Sequence, residues 1–231
     1  MSRISGAPHL VIFDCDGTLV DGQHLVIASM KEAFRQHGLN APDERATRRV
    51  IGLSLRIAVA RVLGKEQEHL ADRVTETFKQ VFHEIRMAKT VDEPFYHGAR
   101  ELIQALSVRD DVLLAIATGK SRRGVDIMLE REGWHDTFVS IQTADSAPSK
   151  PDPGMIHNAL FDSGVAVENT IMIGDTTYDM KMARAARVVA FGVAWGYHDT
   201  KSLAKAGAHM ILDDYTALST ALNSRFMGEL L

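Results

Sequence analysis

Leu10-Val11-Ile12-Phe13-Asp14-Cys15-Asp16-Gly17-Thr18-Leu19-Val20 is an apolar run that breaks on two carboxylates and a glycine. Consecutive apolar residues flanked by turn formers predict a strand buried on both faces, as in a parallel sheet covered by helices. Asp14 and Asp16 follow at once. Residues two apart in an extended segment point the same way, so the two carboxylates are expected to converge at the carboxyl edge of the sheet, where open α/β folds hold ligands. Carboxylates this close raise each other's pKa unless a cation lies between them or one keeps a proton. One carboxylate can then attack a phosphoryl group, while a second carboxyl protonates the leaving oxygen and later activates water. The competing explanation is a plain turn or helix cap, for which Asp-Gly-Thr is ordinary chemistry. The rest of the chain decides between them.

The chain has 231 residues, enough for one large domain or a main domain with a smaller companion. Charged residues at 24% and hydrophobic residues at 45% exclude a disordered or fibrous chain. A net charge of -4 without a long basic run gives nucleic-acid binding no electrostatic support. The single cysteine, Cys15, cannot form an internal disulfide, which fits a reducing compartment, and alternation turns it away from Asp14 and Asp16 as a buried filler. Residues 1–9 lack the apolar stretch of a secretion signal, and no segment is long enough to cross a bilayer. The expectation is a cytoplasmic protein, monomer or homodimer, with neither nucleic acid nor membrane as partner.

After Asp21-Gly22 the pattern turns helical, with Leu25, Ala28, Ser29 and Phe34 spaced for a helix ending near Gly38. Residues 43–89 hold no convincing strand. Ile51, Leu55, Ala58, Val59, Val62 and Leu63 repeat at helical spacing up to Gly64, and Leu70, Val74, Phe78, Val81, Phe82 and Ile85 form one face of another helix. Four arginines fall in this helical insert: Arg45, Arg48, Arg49 and Arg56. They suit an anionic substrate, and Arg49 and Arg56 are singled out because they bracket the turn at Gly52. Most surface arginines are merely solvated, so these are weighed against a plain charged face.

Residues 91–98 read as a loop by Pro94 and Gly98, returning the chain from the insert. The order then becomes α/β. Helices are expected over 99–106, 125–131, 154–162 and 180–186, and strands over 112–117, 138–142, 170–173, 188–193 and 209–212. Such alternation predicts a parallel sheet with helices on both faces. Asp14, Thr118 and Asp175 share one position type, the junction of a buried strand with its following turn, and parallel strands line those turns along one edge.

These junctions carry the parts of phosphoryl transfer. Asp14 is the expected nucleophile, Asp16 the general acid and base, and Thr118 with the N–H of Gly119 the donors to phosphoryl oxygens. Lys150 would neutralise the nucleophile and the phosphate. Asp175 with Asp14 and a backbone carbonyl would hold a hard divalent cation, for which magnesium is the usual choice, with Asp179 supporting them from behind. Singly, Thr118-Gly119 is an ordinary turn, Lys150 a surface lysine, and Asp175 with Asp179 a helix cap.

Taken in order, Asp14-Cys15-Asp16-Gly17-Thr18, Thr118, Lys150-Pro151-Asp152-Pro153 and Gly174-Asp175-Thr176-Thr177-Tyr178-Asp179 resemble the four motifs of the haloacid dehalogenase superfamily. The likeness spans nearly the whole chain and is to phosphoglycolate phosphatase-like and β-phosphoglucomutase-like members with a helical cap. It implies a Rossmann-like core of residues 1–21 and 92–231, a cap of residues 22–91, Mg2+, an aspartyl-phosphate intermediate and the backbone carbonyl of Asp16 as a metal ligand. The segment Gly192-Val193-Ala194-Trp195-Gly196-Tyr197 is similar to the phosphatase branch, whereas Asp21-Gly22-Gln23-His24 stands where that branch often carries Asp-Ser. Dehalogenase members lack an acid at the position of Asp16, so phosphate ester chemistry is expected. The expected activity is hydrolysis of a small phosphorylated metabolite, phosphoglycolate-like or a sugar phosphate. A phosphomutase of the β-phosphoglucomutase type is the alternative, and a non-enzymatic phospho-aspartate regulator a more distant one.

Overall fold

The computed structural model describes residues 7–88 and 93–227. Among them, six parallel strands form one sheet: β1 (His9–Phe13), β2 (Val112–Ala117), β3 (Ser140–Gln142), β4 (Thr170–Gly174), β5 (Val189–Val193) and β6 (Met210–Leu212), in the order β3-β2-β1-β4-β5-β6. In the register, Phe13 stands opposite Ile116 on one side and Ile173 on the other. The carboxyl ends of β1, β2 and β4 therefore leave the sheet together. The chain runs through β2 and β3 on one side of β1 and then crosses to β4, β5 and β6 on the other, the reversal of strand order that opens a crevice in doubly wound sheets.

The helices are α1 (Gln23–Gln36), α2 (Glu44–Arg48), α3 (Leu55–Leu63), α4 (Ala71–Ala88), α5 (Ala99–Ser107), α6 (Arg122–Glu132), α7 (Gly154–Ser163), α8 (Thr177–Ala185), α9 (Thr200–Ala206) and α10 (Tyr215–Phe226). Strand alternation sorts β1 between two layers. Val11 and Phe13 pack with residues of α5, α6 and α10, while Leu10 and Ile12 pack with residues of α7, α8 and α9. Every residue of β1 after His9 is buried, as the uninterrupted apolar run requires.

Helices α1, α3 and α4 bury their apolar stripes against one another, through Met30, Ala33, Phe34, Val59, Leu63, Ala71, Val74 and Phe78. A smaller group, Val50, Leu53 and Ala58, meets Tyr178 of α8 and so joins the insert to the sheet layers. The boundary expected at residues 91 and 92 falls outside the described residues, as do Val91 and Asp92 of the expected loop.

Three differences from the sequence reading have local causes. Ile51 was placed on a helical stripe, but α2 stops at Arg48 and Gly52 adopts φ +97°, which separates it from α3. Helix α8 begins at Thr177 rather than near Met180, because Thr176 and Asp179 form a reciprocal cap that recruits the first turn. Helices α9 and α10 had no counterpart in that reading. Their starts are marked by the side-chain caps Asp199 and Asp214, whereas α9 buries only Leu203 and offers almost no apolar periodicity.

Candidate active site

Beyond β1 the ladder continues for one residue, with the Asp14 N–H donating to Ile173 O at 3.0 Å. The chain then folds over: the N–H groups of Thr18, Leu19 and Val20 all point to the Cys15 carbonyl, at 3.2, 2.8 and 3.0 Å. Gly17 holds φ +83°, and a Cβ there would lie 2.3 Å from Asp175 Oδ2, so only glycine lets this turn close on the end of β4. Two groups from distant segments hold the turn from outside. Tyr215 Oη and Trp195 Nε1 donate to the Thr18 carbonyl at 2.6 and 3.1 Å.

Asp14 is fully buried. Its Oδ1 accepts from the Cys15 N–H at 2.7 Å. Lys150 Nζ stands 2.9 Å from Oδ2 as an ion partner, but without hydrogen-bond alignment, so Oδ2 is a buried oxygen with no hydrogen bond. The same ammonium donates to Asp179 Oδ1 at 2.6 Å. Asp179 Oδ2 accepts from Thr176 N and Oγ1 at 3.0 and 2.6 Å, within the α8 cap. Capping and site chemistry thus coexist in Asp179. Asp175 Oδ1 accepts from Thr18 Oγ1 at 3.1 Å, and its Oδ2 from the Tyr197 N–H at 2.8 Å.

Asp14, Asp175 and Asp179 bring one oxygen each within 4.8 Å of one another. Burial pushes Asp14 up to about 7 against the pull of Lys150, with the Asp179 charge adding to the rise. Burial, then Asp179 and Asp14, hold Asp175 well above the carboxylate range. Burial alone would discharge Lys150, but Asp14 and Asp179 together outweigh it and raise its pKa. Three buried carboxylates against one ammonium, with an oxygen lacking a hydrogen bond among them, are a donor set that fits a hard divalent cation.

The Asp16 carboxylate is not among these oxygens. Lys120 Nζ donates to Asp16 Oδ1 and Oδ2 at 2.8 and 3.1 Å and to Glu93 Oε1 at 3.2 Å. Glu93 Oε2 in turn accepts from Arg86 of α4, whose Nε is 2.9 Å away. Only the main chain of Asp16 is left for the metal-ligand part that the resemblance implies. Sequence reasoning missed Lys120 and Glu93, although Lys120 directly follows Thr118-Gly119.

Thr118 is buried at the end of β2, its N–H donating to Gln142 O at 3.0 Å and its Oγ1 accepting from the Lys120 N–H at 3.2 Å. A Cβ on Gly119 would meet the carbonyl oxygens of Gly52 and Leu53 at 2.6 and 2.7 Å, so the insert's turn rests directly on this loop. Further ties join the insert to the sheet layers. The Ser54 N–H donates to Ser149 Oγ at 2.9 Å, and Tyr178 Oη donates to the Arg49 carbonyl at 2.8 Å. Cys15 is buried, and burial pushes its thiol up, which fits the role of filler.

A cleft of about 570 Å³ is lined by Arg45, Arg48 and Arg49 of the insert and by Tyr178, Tyr197 and His198 among others; the buried acids are not in its lining, and Tyr197, whose N–H reaches Asp175, joins the two. Arg49 lines this cleft. Arg56 does not: its Nε donates to Asp72 Oδ1 at 2.6 Å, an exposed pair. No helix of the described residues is long and apolar enough to cross a membrane.

The chain is similar to known proteins. The family described as Haloacid dehalogenase-like hydrolase matches residues 11–193. A relative named "Probable phosphatase IndB" from Dickeya dadantii is 34% identical over 218 residues, covering 93% of this chain and 94% of the relative. A phosphoglycolate phosphatase from Rhodospirillum rubrum is 30% identical, covering 91% and 89%. The crystal structure of a hydrolase from Pseudomonas syringae superposes with a TM-score of 0.78 at 27% identity, covering 94% of this chain and 98% of that one. With its six-stranded parallel sheet and its buried acids at the strand ends, the chain belongs to the haloacid dehalogenase-like hydrolase family.

Proposed function

We propose that this protein is a Mg2+-dependent phosphatase that hydrolyses a small phosphorylated metabolite through an aspartyl-phosphate on Asp14. As a member of its family it is a phosphoric monoester hydrolase. The observation that carries the finer reading is Asp14 itself, buried, with Oδ1 fixed by the Cys15 N–H and Oδ2 without a hydrogen bond, beside Lys150. Asp14, Asp175 and the Asp16 carbonyl would hold Mg2+, with Asp179 steadying Lys150 behind them. Bound there, Mg2+ supplies positive charge against the phosphoryl oxygens.

In the first step, Asp14 Oδ2 attacks phosphorus and the bond to the leaving oxygen breaks. The Asp16 carboxyl gives that oxygen its proton. In the second, Asp16 takes a proton from water, the resulting hydroxide attacks phosphorus, and the bond to Asp14 breaks. Free phosphate leaves and both carboxyls return to their starting forms. Thr118, the Gly119 N–H and Lys150 hold the phosphoryl oxygens throughout.

Residues 22–91 act as a cap, and its seat on Gly119 supports that role. The arginines of the cleft favour a substrate with a second anionic or strongly polar group, phosphoglycolate-like or a sugar phosphate, with Arg49 in contact. The single cysteine supports a cytoplasmic location. The test is phosphate release from a panel of phosphorylated acids, sugars and nucleotides, with Mg2+ and with a chelator. Turnover that needs Mg2+ and falls by at least about 10⁴-fold in Asp14→Asn is expected. Full turnover in Asp14→Asn would sink the covalent mechanism, and isomer formation without free phosphate would turn the reading to a mutase.

A further inference from the structure

Resting on that phosphatase reading, we infer that Lys120 is a positioning residue for Asp16, and that Glu93 and Arg86 tie its placement to the helical insert. Asp16 leaves β1 in a turn, and among the described residues no backbone donor holds its short side chain. Lys120 supplies the restraint, reaching both carboxylate oxygens at 2.8 and 3.1 Å. Its remaining hydrogen goes to Glu93 Oε1 at 3.2 Å, so the three donors of the ammonium are all in use. Glu93 is held from the other side by Arg86.

With Asp16 ionised, the form in which it takes a proton from water, the four charges balance, two of each sign. They come from four separate segments: the turn after β1, the loop after β2, the return from the insert, and the last insert helix. The side chains of Lys120, Glu93 and Asp16 are only 9%, 10% and 13% exposed, so water competes weakly with these contacts. Both passages between insert and core meet here. Gly22, at the outward passage, packs so closely that a Cβ on it would lie 2.8 Å from Asp16 Oδ1, and Glu93 lies on the inward one. A shift of the insert therefore moves the groups that aim the proposed acid. Lys120 acts on substrate through Asp16 and not by contact.

The test uses leaving groups of different basicity on the full-length protein. Phenolate needs a proton as it departs, 4-nitrophenolate scarcely does, and the two aryl phosphates share one shape. For Lys120→Met, kcat/KM is expected to fall about 100-fold with phenyl phosphate but only about fivefold with 4-nitrophenyl phosphate. In an Asp16→Asn background, Lys120→Met should add less than about threefold, since it would have nothing left to aim. Glu93→Gln keeps the Lys120–Asp16 contact and serves should Lys120→Met not fold; the same preference for the better leaving group is expected at about threefold. Equal losses with both phosphates, or additive losses with Asp16→Asn, would overturn the role of Lys120 while leaving the phosphatase reading intact. Absence of hydrolysis of both aryl phosphates and of the whole metabolite panel by the unsubstituted protein would overturn that reading instead.

Discussion

Two lysines, Lys150 buried and Lys120 half-buried, serve the Asp14-Cys15-Asp16 turn, and each bridges a pair of carboxylates. Lys150 joins Asp14 to Asp179, and all three side chains are at most 1% exposed. Every tie in that group stays within the sheet layers, ending in the cap of α8. Lys120 joins Asp16 to Glu93, close to the surface, and its ties run on to Arg86 in the insert. The proposed nucleophile is thus fixed by the strand ends alone, whereas the proposed acid is aimed by groups that also hold the insert. Breaking the first should cost mainly stability along with activity. Breaking the second should cost mainly activity.

The largest expected effect follows from that contrast. Lys150→Met leaves two fully buried carboxylates without their cation, a loss of about 3–5 kcal/mol. For a chain of this size the thermal midpoint should fall by about 10 °C or more. Lys120→Met strands its carboxylates nearer to water, with about 1–3 kcal/mol at stake. Adding Asp14→Asn to Lys150→Met removes one stranded charge and should recover part of the loss. Equal destabilisation by the two lysine variants, read from thermal melts, would erase the distinction between the clusters.

The acids around Lys150 also predict a pH dependence. Asp14 is held up to about 7, and Asp175 is raised as well, both by burial first. Their folded pKa values lie above the unfolded ones, so the folded form keeps protons that the unfolded form has released. Their contribution to stability is complete below the ordinary carboxylate range and is lost as pH rises above it, for Asp14 through about 7. A divalent cation held by these acids would replace those protons. At about 100 times its Kd, Mg2+ should add about 2.7 kcal/mol near pH 8, raising the midpoint by about 5–10 °C, and much less near pH 5.5. The Lys120 cluster, whose charges already balance, should not contribute to this shift. An Mg2+ shift that is the same at both pH values would count against the carboxylates as its source.

The same contrast governs what could be read from the chain. Asp14, Lys150 and Asp175 were legible because each ends a buried strand or opens a loop with a fixed sequence pattern, and parallel strands bring such ends to one edge. The sheet was legible for the same reason. Lys120 and Glu93 were not, since 27 residues separate them and neither lies on an apolar period. Their meeting depends on how the insert returns to the core, which no local pattern encodes. Helix α9 was missed because a seven-residue helix with one buried side chain leaves hardly any stripe. Arg49 and Arg56 looked equivalent as brackets of Gly52, and only the fold separates them.

The seat of the insert itself can be disturbed at Gly119. A methyl group there must displace the carbonyls of Gly52 and Leu53, which are backbone and cannot rotate away. Gly119→Ala should weaken the seated arrangement by about 1–3 kcal/mol, with a fall in kcat/KM of about tenfold or more and a smaller loss of thermal stability. An unchanged kcat/KM would mean that the contact is not needed during turnover.

Arg56 gives the smallest expected effect and sharpens the comparison from the insert's side. Its guanidinium and the Asp72 carboxylate are 56% and 76% exposed, an ion pair of the kind that contributes about 0–1 kcal/mol. Arg56 also lies outside the cleft that Arg49 lines. Arg56→Ala should leave kcat/KM within about twofold and the thermal midpoint within about 2 °C. Arg49→Ala, measured beside it, should raise KM, because an anionic group on the substrate would lose its partner. A loss above about tenfold in Arg56→Ala would require the insert to take a second position that brings this arginine to the ligand. Arg56 and Asp72 both belong to the insert, on α3 and α4, so a movement of the insert as a body would carry their pair along intact, and reaching the ligand would require that pair to open as well.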